Sequence, residues 1–302
     1  MKMIKFKNLK EGTKKKILIG IGVFAILVVA VLSVPKDVYS KIFNIKESNL
    51  TLENEQENKL TQLVYVMNSK NELVGVNVPV ESNNEDNVIQ KWELLTSKMA
   101  TLPKGYFSPI DSATSLENYE VKDNILVLSL SNDFLNSDGK NALASIAWTY
   151  CLGDITEVVV KVEDEVLTKL KDYQFFKIDK TLNVNYMFET SYLFEASCVT
   201  VLYKDTDTIK PVTYFFQDEE EIDYIVSKLL DDEIINNNAY TYTFENNNFS
   251  LNLAVDTVLT KNEIDEFKET MMLNFDLDSL VITNNVMTIY EEVFNIEEPV
   301  EE

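Results

Sequence analysis

The stretch Leu63–Val80, LVYVMNSKNELVGVNVPV, decides the fold. Two apolar runs, Leu63–Met67 and Leu73–Val80, flank the turn-like NSKNE, a spacing of hairpin length. A helix is predicted next, because Val88, Trp92, Leu95 and Met99 recur at intervals of four, three and four and so share one stripe. The polar run ESNNEDN ahead of it supplies N-cap oxygens, with Asn87 best placed. Beyond Leu102-Pro103-Lys104-Gly105 and a long connection lies the strand Ile125–Leu130, turned at Asp123-Asn124 from the extended segment before it. A second helix carries Leu143, Ile146, Tyr150 and Cys151 on one face and is capped at Gly153. Ile155–Val162 and a short EDEVL return complete the unit.

The same order then repeats. Cys198–Tyr203 and Val212–Phe216 pair as the hairpin, and Ile222, Ile225, Val226 and Leu229 mark the first helix. Tyr240–Phe244 turns through Glu245–Asn248 into Phe249–Leu253. Ile264, Phe267, Met271 and Phe275 mark the second helix, and Leu280–Ile282 and Val286–Tyr290 close the copy. Each copy reads strand, strand, helix, strand, strand, helix, strand, strand. The class is α+β, two tandem α/β-sandwich domains, with both helices of a copy expected on one face of a sheet. The expected domains are 61–167 and 198–292. Between them, 168–197 carries Tyr173, Phe175, Phe176, Tyr186, Phe188, Tyr192 and Phe194. A connector so rich in aromatics is expected to pack against both copies and stiffen the tandem.

Ahead of the copies, Ile17–Val34 reads ILIGIGVFAILVVAVLSV, uncharged and long enough at about 1.5 Å per residue to span a bilayer core. Seven lysines against one glutamate in residues 1–16 predict a cytoplasmic N-terminus and an extracytoplasmic remainder. The competing reading is a cleaved signal peptide, whose apolar core is shorter, with Val31-Leu32-Ser33 as the cleavage site. Residues 35–60 read as an acidic stalk and 293–302 as an acidic tail. A single-pass cell-membrane protein is the expectation.

The formal charge is −23, and the basic N-terminal flank makes the rest of the chain more negative still. Such a surface repels nucleic acid and favours cationic partners. The chain contains neither histidine nor arginine, which removes His bases, His metal ligands and Arg clamps. Asp218–Glu221, Asp231–Glu233 and Asn136–Gly139 lack the alternating oxygen ligands of a calcium loop, and the first run suits a solvated helix start. Ser145 with Lys140 is the one Ser-Lys pairing to weigh, but Ser145 sits in a packed helix pattern. Cys151 and Cys198 read as small buried side chains, although a bridge between them is permitted outside a cytoplasmic membrane. The Tyr and Phe residues of alternating strands fit cross-strand packing better than carbohydrate stacking. No catalytic, cofactor or metal residue is assigned.

Leu102–Gly105, Leu130-Ser131-Asn132-Asp133-Phe134 and the helix leading into Thr156–Val160 resemble the GerM-type domain of spore germination and sporulation proteins. Leu253-Ala254-Val255-Asp256 is a weaker counterpart of the second motif, so Asp133 and Asp256 hold equivalent places, read as turns or caps. Leu182-Asn183-Val184-Asn185 is similar to the segment joining two such domains, and the resemblance runs from Thr61 to Tyr290. Two features depart from that family. No cysteine follows the apolar run for lipid attachment, and Glu81 and Thr213 stand where an arginine is common. The resemblance implies a non-enzymatic scaffold, similar to ring-building folds of secretion systems, acting by self-association or on other membrane proteins. The alternative is a ligand-binding or sensor ectodomain recognising cell-wall fragments or a cationic peptide.

Overall fold

The hairpin of residues 63–80 forms as β1 (Thr61–Asn68) and β2 (Leu73–Pro79), with Tyr65 directly opposite Gly75. The structure is a computed structural model that describes residues 60–80, 86–96, 102–191, 193–230, 240–254, 259–284 and 287–294. These all fall in one compact unit, Lys59–Glu302. The expected basic flank (1–16), membrane anchor (17–34) and nearly all of the stalk lie outside the described residues. Among the described residues, no helix is long and apolar enough to cross a membrane.

The first copy continues with α1 (Asn87–Leu95), β3 (Tyr106–Phe107), β4 (Leu116–Lys122), β5 (Ile125–Leu130), α2 (Gly139–Tyr150), β6 (Glu157–Val162) and β7 (Glu165–Val166). The connector holds three two-residue strands, β8 (Lys169–Leu170), β9 (Tyr173–Gln174) and β10 (Met187–Phe188). The second copy is β11 (Ser197–Lys204), β12 (Thr208–Phe216), α3 (Glu221–Leu229), β13 (Tyr240–Glu245), β14 (Asn248–Leu253), α4 (Lys261–Asn274), β15 (Ser279–Asn284) and β16 (Thr288–Val293). Both copies have the element order read from the sequence, with β3 as an addition in the first. The helix α2 links parallel strands β5 and β6, and α4 likewise links β14 and β15.

The layering differs from the expected single sheet with helices on one face. Each copy's four later strands form their own sheet, β4-β5-β6-β7 or β13-β14-β15-β16. The two hairpins belong to a separate sheet, which β2 and β12 share by pairing Gly75 with Ile209 and Val76 with Thr208. The helices therefore lie between a hairpin and a four-stranded sheet: α2 packs on β1, β2 and β6, and α4 on β11, with Phe267 against Phe249 of β14. The reason is visible in α2, where every residue from Ala142 to Tyr150 is buried. A helix covered all round needs packing partners on more than one side.

Smaller corrections follow from local geometry. The N-cap of α1 is Asp86, whose carboxylate accepts from the Val88 N–H, and Asn87 is the first helical residue. The C-cap of α2 is Cys151, with Gly153 at φ +61° in the turn beyond. Of the connector aromatics, Phe175 alone is buried among those described, while Phe176 is 98% exposed. The connector instead packs through Leu170, Ile178, Leu182 and Val184, which enter the first copy's core.

Candidate interaction surface

Three features of the described residues can serve recognition: a welded joint between copies, a cleft beside it and an exposed aromatic ledge. The joint rests on Asn185. Its side-chain oxygen accepts from the Leu73 N–H at 2.8 Å, and its amide donates to the carbonyls of Leu73 (2.7 Å) and Pro211 (2.6 Å). It is held for this at φ +49°, a left-handed conformation that asparagine tolerates better than most residues. Val184 and Thr213 exchange two more bonds, and Lys210 pairs with Glu72 at 2.7 Å. That partnership holds the Glu72 carboxyl below its ordinary range. Leu202, Ile209 and Leu273 of the second copy pack against the first copy's core.

Each copy also uses a helix to cover an open strand edge. Ser145 donates to the Tyr65 carbonyl and Thr149 accepts from the Tyr65 N–H at 2.9 Å. In the second copy Thr270 accepts from Leu202 (3.0 Å), Glu266 from Lys204 (3.2 Å), and Asn274 both accepts from and donates to Thr200. These residues stand four apart, so each set lines one helix face against its strand. Unpaired strand edges invite further pairing, and these two are occupied by side chains.

Beside the joint lies a cleft of about 850 Å³, walled by Trp148, Ile155 and Lys180 from the first copy and connector, and by Ile209, Met272 and Leu273 from the second. The Lys180 ammonium stands 5.4 Å from the Trp148 ring, and burial pulls its pKa down. The ledge comprises Tyr186, Phe188 and Phe215 in mutual ring contact, with Met187 beside them. Lys140 lies 4.4 Å from the Tyr186 ring, so its ammonium belongs to the ledge, whereas Ser145 serves β1. The structure does not make a catalytic pair of them.

The other sequence candidates resolve into structural roles. Phe134 of the LSNDF motif is fully buried, and Asp133 accepts from Ser131 at the start of a 3-10 turn. Gly105 takes φ +94° where Tyr106 N–H bonds Pro103, a turn needing glycine. Glu220 caps α3 by position and Glu221 opens it, a solvated acidic helix start. Asp231–Glu233 and Asp256 lie outside the described residues. Cys151 is buried, its thiol pushed up to about 12 by burial. Cys198, expected to be buried, is exposed, because its side of β11 lines the open cleft; both thiols are free. Among the described residues no group of three or more acidic or cysteine side chains is placed to hold a metal ion. Asn185 was legible only as part of a joining segment, and Thr149 and Thr270 not at all.

Taken together, the geometry defines a tandem of helix-filled α/β sandwiches fused through one sheet. Residues 63–168 match the family described as Germane, sporulation and spore germination. The tandem GerMN domains of the sporulation protein GerM from Bacillus subtilis superpose with a TM-score of 0.61 at 16% identity, covering 75% of this chain and 91% of that one. The first GerMN domain of the same protein, at 19% identity, covers 40% of this chain and 96% of that one with a TM-score of 0.35. The described region thus has the fold of tandem GerMN domains. No curated protein matches the chain.

Proposed function

We propose that this chain is a membrane-anchored, extracytoplasmic scaffold that acts by protein–protein assembly. The observation that carries the reading is the weld: Asn185 and the β2–β12 pairing make two domains present their outer surfaces at one fixed angle. Fixed geometry is what an assembly subunit requires, since ordering two loose domains would cost affinity. The acidic surface supplies selection against wrong partners, and the aromatic ledge supplies apolar contact. Self-association and contact with other membrane proteins are both served by such a body.

Two measurements test this. Light scattering on the full chain in detergent, over a concentration series, is expected to give discrete oligomers; a monomer at all concentrations would remove self-assembly. The exposed Cys198 tests the side of the membrane. A membrane-impermeant maleimide applied to intact cells should label the wild-type chain and not Cys198→Ser, with buried Cys151 silent in both. Labelling only after lysis would place the domains on the cytoplasmic side.

A second reading, a ligand-binding ectodomain, is favoured by the cleft of about 850 Å³ at the domain boundary. Titration with soluble cell-wall fragments, followed by Trp148 fluorescence, separates it from pure scaffolding.

A further inference from the structure

We infer that the groove between α1 and β4 is a docking site for an extended, cationic peptide segment of a partner protein. The groove has a volume of about 320 Å³ and is lined on the helix side by Ile89, Trp92 and Glu93. Trp92 is 2% exposed, yet its indole N–H has no acceptor. The Glu93 Oε2 atom, buried in the same wall, has no donor. Leaving a buried donor and a buried acceptor unmade is costly, and native structures rarely tolerate either without a reason. The two residues that carry them stand side by side in the wall of the same small groove.

The opposite wall is the rim of a sheet. β4 is the terminal strand of its sheet and, among the described residues, pairs only with β5. Five consecutive residues, Ser115 to Tyr119, line the groove. Successive side chains of a strand point to opposite faces, so an unbroken run means that the strand presents its edge. The register with β5 shifts between Leu116 and Asn118, a bulge at Glu117 that re-aims the backbone there. The edges of β1 and β11 are covered by helix side chains, whereas α1 leaves β4 a gap. One end of the gap is closed by Tyr119, whose hydroxyl donates to Asp86, the α1 N-cap.

An extended backbone is the occupant that satisfies both walls. It offers a carbonyl to the Trp92 N–H and a ladder of amides and carbonyls to β4, the mode of strand addition at a sheet edge. Its side chains meet exposed Ile89, and a lysine or arginine reaches the Glu93 carboxylate. Charge selects the same chemistry: Glu93 and Glu117 line the groove, and its lining contains no lysine. A second copy of this acidic chain fits poorly, so this surface serves a hetero-partner and stands apart from self-assembly.

The test uses the full chain in detergent and, as probe, a fluorescein-labelled peptide of alternating lysine and valine, read by anisotropy. Trp92→Phe keeps the ring and removes the donor; Glu93→Gln keeps the shape and removes the charge. Each is expected to weaken binding at least tenfold with an unchanged melting temperature. Glu245→Gln, the same charge change on β13, is expected to leave affinity within twofold. Hydrogen exchange should show Ser115–Tyr119 amides protected by the peptide. Equal losses in Glu93→Gln and Glu245→Gln, protection elsewhere, or no binding to wild type would each overturn the assignment. A monomeric wild type that binds the peptide would leave it standing while removing self-assembly.

Discussion

The two copies share one element order but solve the burial of their crossover helix differently. In α2, nine consecutive residues are buried, and the sequence ALASIAWTY offers no face to water. In α4 the buried residues are Glu266, Phe267, Thr270 and Met271, and Met272 is 46% exposed. The edge-capping bonds align the helices, placing Thr149 beside Thr270 and Ser145 beside Glu266. On that alignment Trp148 of the first copy matches Glu269 of the second. Both residues line the cleft, but Trp148 is buried with the connector's Lys180 over its ring, whereas the Glu269 side chain stays 43% exposed. A duplicated fold can thus keep its polar stripe and its strand order while one copy recruits extra chain and the other stays half open.

The largest break in this comparison comes from the cores of the two helices. Ile146→Ala removes a fully buried side chain from a helix with no free face, and is expected to cost about 3 kcal/mol. Met272→Ala on the exposed face of α4 should stay within about 0.5 kcal/mol. Chemical denaturation of both variants checks the contrast. The next effect lies at the weld. Asn185→Ala strands the Leu73 N–H and the carbonyls of Leu73 and Pro211, and is expected to cost about 2 kcal/mol. It should also split one calorimetric transition into two, as the copies lose their coupling. A single transition with lowered midpoint would mean that the shared packing of Leu202 and Leu273, not Asn185, holds them together.

The strand and helix order was legible because hydrophobic period and turn residues are local signals. Asn246-Asn247 and Asp123-Asn124 sit at positive φ in the hairpin turns that their chemistry predicts. The stripe through Trp92 and Leu95 is buried as its spacing requires, with Met99 outside the described residues. What escaped the sequence depends on distant pairs. The β2–β12 junction rests on two residue pairs separated by more than a hundred positions, with no periodicity to announce it. Ser145 and Thr149 look neutral in an apolar helix until the Tyr65 backbone is placed beside them. The orphan donor on Trp92 is a missing partner, which no residue type encodes.

Helix capping sharpens the same contrast at smaller scale. The half-open α4 carries a capping box, with Thr260 and Glu263 bonded reciprocally. The N-cap of α2, Asp138, makes no capping bond to the helix backbone. Thr260→Ala is therefore expected to cost about 1 kcal/mol and Asp138→Ala about 0.3 kcal/mol or less, measured by urea midpoints. Equal costs would show that tertiary cover does not substitute for a cap.

The smallest effect is a pH dependence at the weld. Lys210, and then Asn68, hold the Glu72 carboxyl below its ordinary value, so the folded state favours the charged form. The stability this contributes is present above the unfolded carboxylate value of about 4.3 and is lost as pH falls through the lower folded value. Both side chains are partly exposed, so water and salt screen the pair and the gain is modest. Acid below pH 4 should loosen the junction between copies before either core. Comparing wild type with Glu72→Gln by hydrogen exchange at Val76 and Ile209 isolates the contribution: the variant should show wild-type acid-state exchange already at pH 7. If exchange at these amides stays pH-independent in the wild type, after correction for the intrinsic rate, the uncharged bonds of Asn185 and of Val184 with Thr213 carry the polar part of the weld without the ion pair.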